Sequence, residues 1–261
     1  MRVVVIGAHP DDETVGATSV LLRGAGAAVV HLTDGAPRDP RLRPGYPDRA
    51  AYARLRAEEA RAALAIAGVV DLVQLGAADQ EVVRALAPLA RELAAILASL
   101  APRIVVAHAY EGGHPDHDAA ALATRAALSL VRRAEGAAPR LVEMTGSHLA
   151  GGRLATNEFL PGPRAVRHRL TPAEQEKKRA MLDRYASQRH TLAQLGVAEE
   201  RFRLAGPVSP WARPHPGVLQ YELRGWTTFE EFRTAAVLGL RALGIGEDED
   251  APTPGAPAAG R

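Results

Sequence analysis

Val3-Val4-Val5-Ile6 runs directly into Gly7-Ala8-His9-Pro10-Asp11-Asp12-Glu13. A short β-branched run of this kind reads as a strand buried on both faces, as in parallel sheets. Glu13-Thr14 then opens an apolar segment reaching Leu22, the pattern of a helix. Open α/β sheets build sites from a strand that delivers polar residues at its carboxyl end. His9 and Asp12 lie three residues apart across the turn, close enough to share one cation, and Pro10 fixes φ between them. Asp11 and Asp12 are adjacent and so point different ways, which suits one as ligand and the other as base. Two carboxylates pressed together without a counter-charge repel and raise a pKa, a conflict that a metal resolves. The plainer alternative is that these acids only cap the following helix.

A second stretch repeats the pattern. Ile104-Val105-Val106-Ala107-His108 is another buried-strand run, and it ends in Tyr110-Glu111-Gly112-Gly113-His114-Pro115-Asp116-His117. His114 and His117 are again three apart, stiffened by Pro, and lead into a helical segment from Asp118 to Val131. Zinc accepts imidazole nitrogen and carboxylate oxygen, and a catalytic zinc keeps one position open. Three ligands drawn from His9, Asp12, His114 and His117 leave one histidine over. Spacing alone separates neither Asp11 from Asp12 nor His114 from His117.

Further strands are expected at Ala28–Leu32, Val69–Leu75 and Arg140–Met144, with helices at 50–67 and 81–98 between them. This rhythm implies right-handed βαβ units. The expected fold is α/β: a Rossmann-like, three-layer αβα architecture with a mostly parallel sheet, plus a smaller C-terminal α/β part. One domain spans 1–246, with a core over about 1–150 and a substrate-wall part over about 151–246; 247–261 is an expected disordered tail. G-x-G-x-x-G is missing after the first strand, which argues against nucleotide binding. His31 sits inside an apolar run and reads as a core histidine. Thr171-Pro172-Ala173-Glu174 opens a helix expected to reach about Gln194. The Pro-rich 204–217 loop could overhang a pocket with Trp211, Arg213 and His215. The 261-residue chain has no cysteine, so any metal must use His and carboxylates. Lys+Arg number 32 against 30 Asp+Glu and do not cluster, so no nucleic acid is expected. No apolar run approaches the ~18–20 residues of a membrane span, and with no signal-peptide pattern a cytoplasmic location is expected. Exposed apolar helix faces leave room for a homo-oligomer.

Ala8-His9-Pro10-Asp11-Asp12-Glu13 and His114-Pro115-Asp116-His117, in this order and about a hundred residues apart, resemble the PIG-L/LmbE family of zinc-dependent N-deacetylases. The likeness extends through Thr33–Pro37, Arg56 with Glu58-Glu59, and Tyr185–Gln188, covering the chain to roughly residue 240. It implies that His9, Asp12 and His117 hold one Zn2+, with Fe2+ the alternative metal. It implies Asp11 as general base, His114 as oxyanion or acid partner, and Asp116 behind a ligand histidine. The implied substrate is a small acetylated amino sugar bearing N-acetylglucosamine, for whose hydroxyls Asp34, Arg38, Arg56 and Glu111 are candidates. Two rival readings use the same residues: a two-metal phosphoesterase, for which extra ligands are short, and a non-catalytic Rossmann-like module with a structural metal site.

Overall fold

The computed structural model describes residues 2–24 and 26–246; the expected 247–261 tail lies outside the described residues. The strands are β1 (Val3–Gly7), β2 (Ala28–Pro37), β3 (Asp71–Asp79), β4 (Ile104–His108), β5 (Arg140–Met144), β6 (Ser147–Ala150), β7 (Arg153–Thr156), β8 (Ala165–Arg169) and β9 (Glu199–Leu204). The helices are α1 (Asp12–Arg23), α2 (Arg49–Ile66), α3 (Leu86–Leu100), α4 (Pro115–Glu135), α5 (Pro172–Leu182), α6 (Arg189–Leu192), α7 (Gln220–Leu223) and α8 (Phe229–Arg241).

A seven-stranded sheet runs in the order β3-β2-β1-β4-β5-β9-β8. The first five strands are parallel, and β9 and β8 are antiparallel additions. Alternate residues of β1 enter opposite cores, as the period of a strand requires. Val4 and Ile6 join a cluster with side chains of α3, α4 and α8. Val3 and Val5 join another with residues of α1, α2 and α5. Burying a Val or Ile contributes roughly 1.5–3 kcal/mol, which is why the β-branched run sits at the centre of three layers. β1 lies between β2 and β4, where the strand order reverses. In register, Val3 faces Ile104 and Val5 faces Val106, so both histidine-bearing turns leave the sheet side by side.

The C-terminal part adds β9 and β8 to this sheet and forms a separate two-stranded sheet from β6 and β7. The stretch 145–170 forms the two-stranded β6–β7 hairpin and the edge strand β8. β9 had no apolar signal because its buried positions are charged. Glu200 meets Lys178 at 2.7 Å and Arg203 donates to Glu143 at 2.6 Å. The helix expected over 171–194 breaks after Leu182, and Tyr185 turns inward, fully buried, with its hydroxyl 2.7 Å from Glu13 Oε1. Among the described residues no helix is long and apolar enough to cross a membrane.

Candidate active site

The turn after β1 is held in an unusual conformation. Asp11 has φ 134° and ψ −24°, a region that costs a non-glycine residue of the order of 1–3 kcal/mol and is typical of functional sites. Three contacts hold it there. Glu13 Oε2 accepts from the Asp11 amide at 3.3 Å, and Arg56 Nη2 donates to Pro10 O and, at 3.0 Å, to Asp11 Oδ2. Glu13 is itself anchored by His31 at 2.8 Å and Tyr185 at 2.7 Å, so His31 lies in the support of the turn.

Asp12 points the other way, into a histidine cluster. Its Oδ1 is 3.2 Å from His117 Nε2, and its Oδ2 accepts from His108 Nε2 at 3.0 Å and from the His9 amide at 2.7 Å. His9 Nδ1 is 3.6 Å from Asp12, while its Nε2 meets Asp79 and Asp116 at 3.2 Å each. Burial opposes charge on His9, yet the three carboxylates outweigh it and raise its pKa well above the usual value. Asp116 also accepts from the amides of Gln80 and Val82, so it carries β3's end and His9 together. Asp79 is held low by His9 and His114 against the effect of burial.

His114 caps α4, its Nδ1 accepting from the Asp116 amide at 3.2 Å. The proton of the neutral ring therefore sits on Nε2. Burial, then the charge on His9, push its pKa well below 6.5, which favours the neutral ring. The Trp226 ring lies 4.7 Å from it. Gly112 (φ +72°) and Gly113 make the approach to this cap; a Cβ on Gly113 would fall 1.8 Å from Ser147 O. Gly113→Ala is expected to cost about 1–3 kcal/mol and most activity, because backbone must move apart at the cap. Melting and turnover check this; a wild-type melting curve with full turnover would contradict the packing.

Three donor sets bring their ligand atoms within 4.8 Å of one another: His9–His114–His117, His9–Asp79–His114–Asp116, and Asp12–His108–His117. Asp12 meets both His9 and His117, whose ring centroids are 5.4 Å apart, but the three together are not one of these sets. Carboxylates of Asp11, Asp12, Asp79 and Asp116 gather in this region with Arg56 as the paired guanidinium. Imidazoles and carboxylates without thiolates suit zinc or another divalent first-row ion, so the residues fit a metal.

A cavity of about 360 Å³ opens onto the cluster, with His9, Asp11, Asp12, Asp79, His114 and His117 in its wall. Arg56 lines it too, 2 % exposed and committed to the Asp11 turn. Asp34, Arg38 and Glu111 are not in the wall. Asp34 is bound by Arg49 at 2.7 Å, Arg38 by Glu81 at 2.8 Å, and buried Glu111 accepts from the Leu160 amide at 2.7 Å. Loop residues Arg213 and His215 bond to Glu222 and Pro216, and Trp211 packs on the core. Asp79 and His108 are the members that sequence reasoning missed. The usable signal for His108 was its place at the end of β4, where His9 follows β1. Asp79 lay hidden because β3 continues past Leu75 with small residues.

The architecture and this cluster define an open α/β protein with a metal-type donor site at the switch point of its sheet. Residues 4–128 match the family model described as PIG-L: GlcNAc-PI de-N-acetylase, and this span is a PIG-L family domain. No curated protein matches the chain in sequence. Among solved structures, the zinc-inhibited form of teicoplanin deacetylase Orf2 is 17% identical and superposes with TM-score 0.54 over 78% of this chain and 97% of that one. The N,N'-diacetylchitobiose deacetylase from Pyrococcus horikoshii, complexed with its inhibitor, is 16% identical, with TM-score 0.54 over 78% and 83%. GalB, the 4-carboxy-2-hydroxymuconate hydratase from Pseudomonas putida KT2440, is 18% identical, with TM-score 0.55 over 80% and 98%. These likenesses establish the fold; the reaction has to be argued from the site.

Proposed function

We propose that this protein is a zinc-dependent N-deacetylase acting on the N-acetylglucosamine moiety of a small conjugate. The observation that carries the reading is Asp11, a carboxylate in the cavity wall that belongs to none of the metal donor sets. Burial raises its pKa to about 6 even with Arg56 alongside, the range useful to a general base. A carboxylate serving only to cap α1 would accept amide hydrogens of its first turn, and Asp11 makes no such bond.

His9, Asp12 and His117 would hold the zinc, which when bound supplies Lewis acidity and makes hydroxide accessible near neutral pH. Asp11 takes a proton from the attacking water as its oxygen adds to the acetamide carbon. Arg56 fixes that carboxylate through Oδ2. The neutral His114 Nε2–H donates to the oxyanion that develops on the carbonyl oxygen. Asp11 then returns its proton to the nitrogen as the C–N bond breaks, leaving acetate and a free amine.

The two-metal phosphoesterase gains from Asp79 and His108, which relieve the ligand shortage. The sets His9–Asp79–His114–Asp116 and Asp12–His108–His117 share no residue. Metal counting separates the readings: one zinc per chain is expected, and two would favour the phosphoesterase. Acetate release from N-acetylglucosamine glycosides is expected to disappear on chelation and return with zinc. Release that survives full metal removal would overturn the reading.

A further inference from the structure

The cavity wall carries an apolar set beside its polar residues, which include Gln188, Thr191 and Glu199. Val15 stands one helical turn beyond Asp12, packed in one cluster with Leu192 and Leu195. Leu42, 41% exposed on the loop after β2, faces the same space. Toward the metal donors the wall carries the carboxylates of Asp11, Asp12 and Asp79. Among the described residues Arg56 is the only lysine or arginine in it; its Nη2 is given to Pro10 and Asp11, Nη1 lies 3.7 Å from Glu59, and Nε and Nη1 are buried away from the open space without a hydrogen-bond partner.

The neighbouring loop is rich in arginine but offers none to the cavity. Arg38 is held by Glu81, Arg41 by Asp39, Arg43 by backbone carbonyls of residues 37, 46 and 47, and Arg49 by Asp34. A phosphate group entering here would lose water without gaining a basic partner, beside carboxylates of its own sign. A divalent cation offsets part of that charge and provides no fork of donors for a phosphate. Apolar surface, by contrast, gains from covering Val15, Leu42, Leu192 and Leu195.

We propose that the substrate is a phosphate-free N-acetylated amino-sugar glycoside whose aglycone is apolar and rests on Val15, Leu42, Leu192 and Leu195. This rests on the deacetylase reading above and names its substrate class. Three compounds test it with the zinc-loaded full chain: the methyl and hexyl glycosides of N-acetylglucosamine, and N-acetylglucosamine 1-phosphate. Burying about three methylenes is worth roughly fiftyfold, so kcat/KM for the hexyl glycoside is expected to exceed that of the methyl glycoside by about that factor. The 1-phosphate is expected at least about tenfold below the methyl glycoside. Leu195→Asn is expected to bring the hexyl-to-methyl ratio toward one through KM, and Leu42→Ser, on an exposed loop, provides a second variant should the first fold poorly. Turnover of the methyl glycoside with no hexyl preference, or with the phosphate processed equally well, overturns this inference and leaves the deacetylase reading standing. Acetate release from none of the three overturns both.

Discussion

Asp11→Asn is expected to lower kcat by about three orders of magnitude while zinc content stays at the wild-type level. The amide cannot accept a proton from water, and removing a general base costs typically 10²–10⁴-fold. Metal retention follows because Asp11 is neither one of the proposed ligands His9, Asp12 and His117 nor, among the described residues, a member of any of the three donor sets. Asn is close in shape, so its oxygen can still accept from Arg56 and keep the turn. Asp11→Gly separates chemistry from conformation. Glycine occupies φ 134° without steric penalty, so this variant is expected to melt no lower than Asp11→Asn yet to be equally inactive. Turnover within tenfold of wild type in either variant would remove Asp11 from the mechanism. Loss of zinc in Asp11→Asn would make it a ligand instead.

The legible parts of the chain were those where burial is apolar. β1, β2 and β4 announced themselves as β-branched runs, and the two His-Pro-Asp turns followed from where those runs stop. β9 was illegible because Glu200 and Arg203 are buried through ion pairs, which leave no hydrophobic period in the sequence. The break after α5 was hidden for a related reason. Its continuation has helical composition, and only the distant partner Glu13 explains why Tyr185 leaves the helix axis. At the site, the turns were visible while Asp79 was not. It reaches His9 from a strand 70 residues away in sequence, through a β2–β3 pairing whose register shifts twice before Pro37 meets Asp79. Arg56, expected among the contacts to the sugar hydroxyls, lines the cavity, but its Nη2 is taken by a contact 45 residues distant, to Asp11.

The same kind of buried ion pair makes Glu200 a sensitive position for stability outside the site. Both Lys178 and Glu200 are 1% exposed, and the carboxylate also accepts from the amides of Thr18 and Ser19 and from the Ser19 hydroxyl at 2.6 Å. It thereby ties α5 and α1 to β9. Breaking a buried pair from one side leaves an uncompensated charge and costs about 3–5 kcal/mol. Glu200→Gln is expected to destabilise by that amount, lowering Tm by roughly 10 °C in a chain of this size. Burial already pulls the Lys178 pKa below its ordinary value despite Glu200, and without the carboxylate it falls further. A lysine whose folded pKa is depressed binds fewer protons folded than unfolded, so its contribution to stability rises with pH up to the unfolded value near 10.4. The penalty of Glu200→Gln is therefore expected to be largest at neutral pH and to shrink as pH climbs toward 10. Adding Lys178→Met should recover much of the loss by removing the stranded charge. A penalty below about 1 kcal/mol at pH 7, or one that grows with pH, would mean that water reaches the pair and that β9 is held by its backbone pairing with β5 and β8 alone.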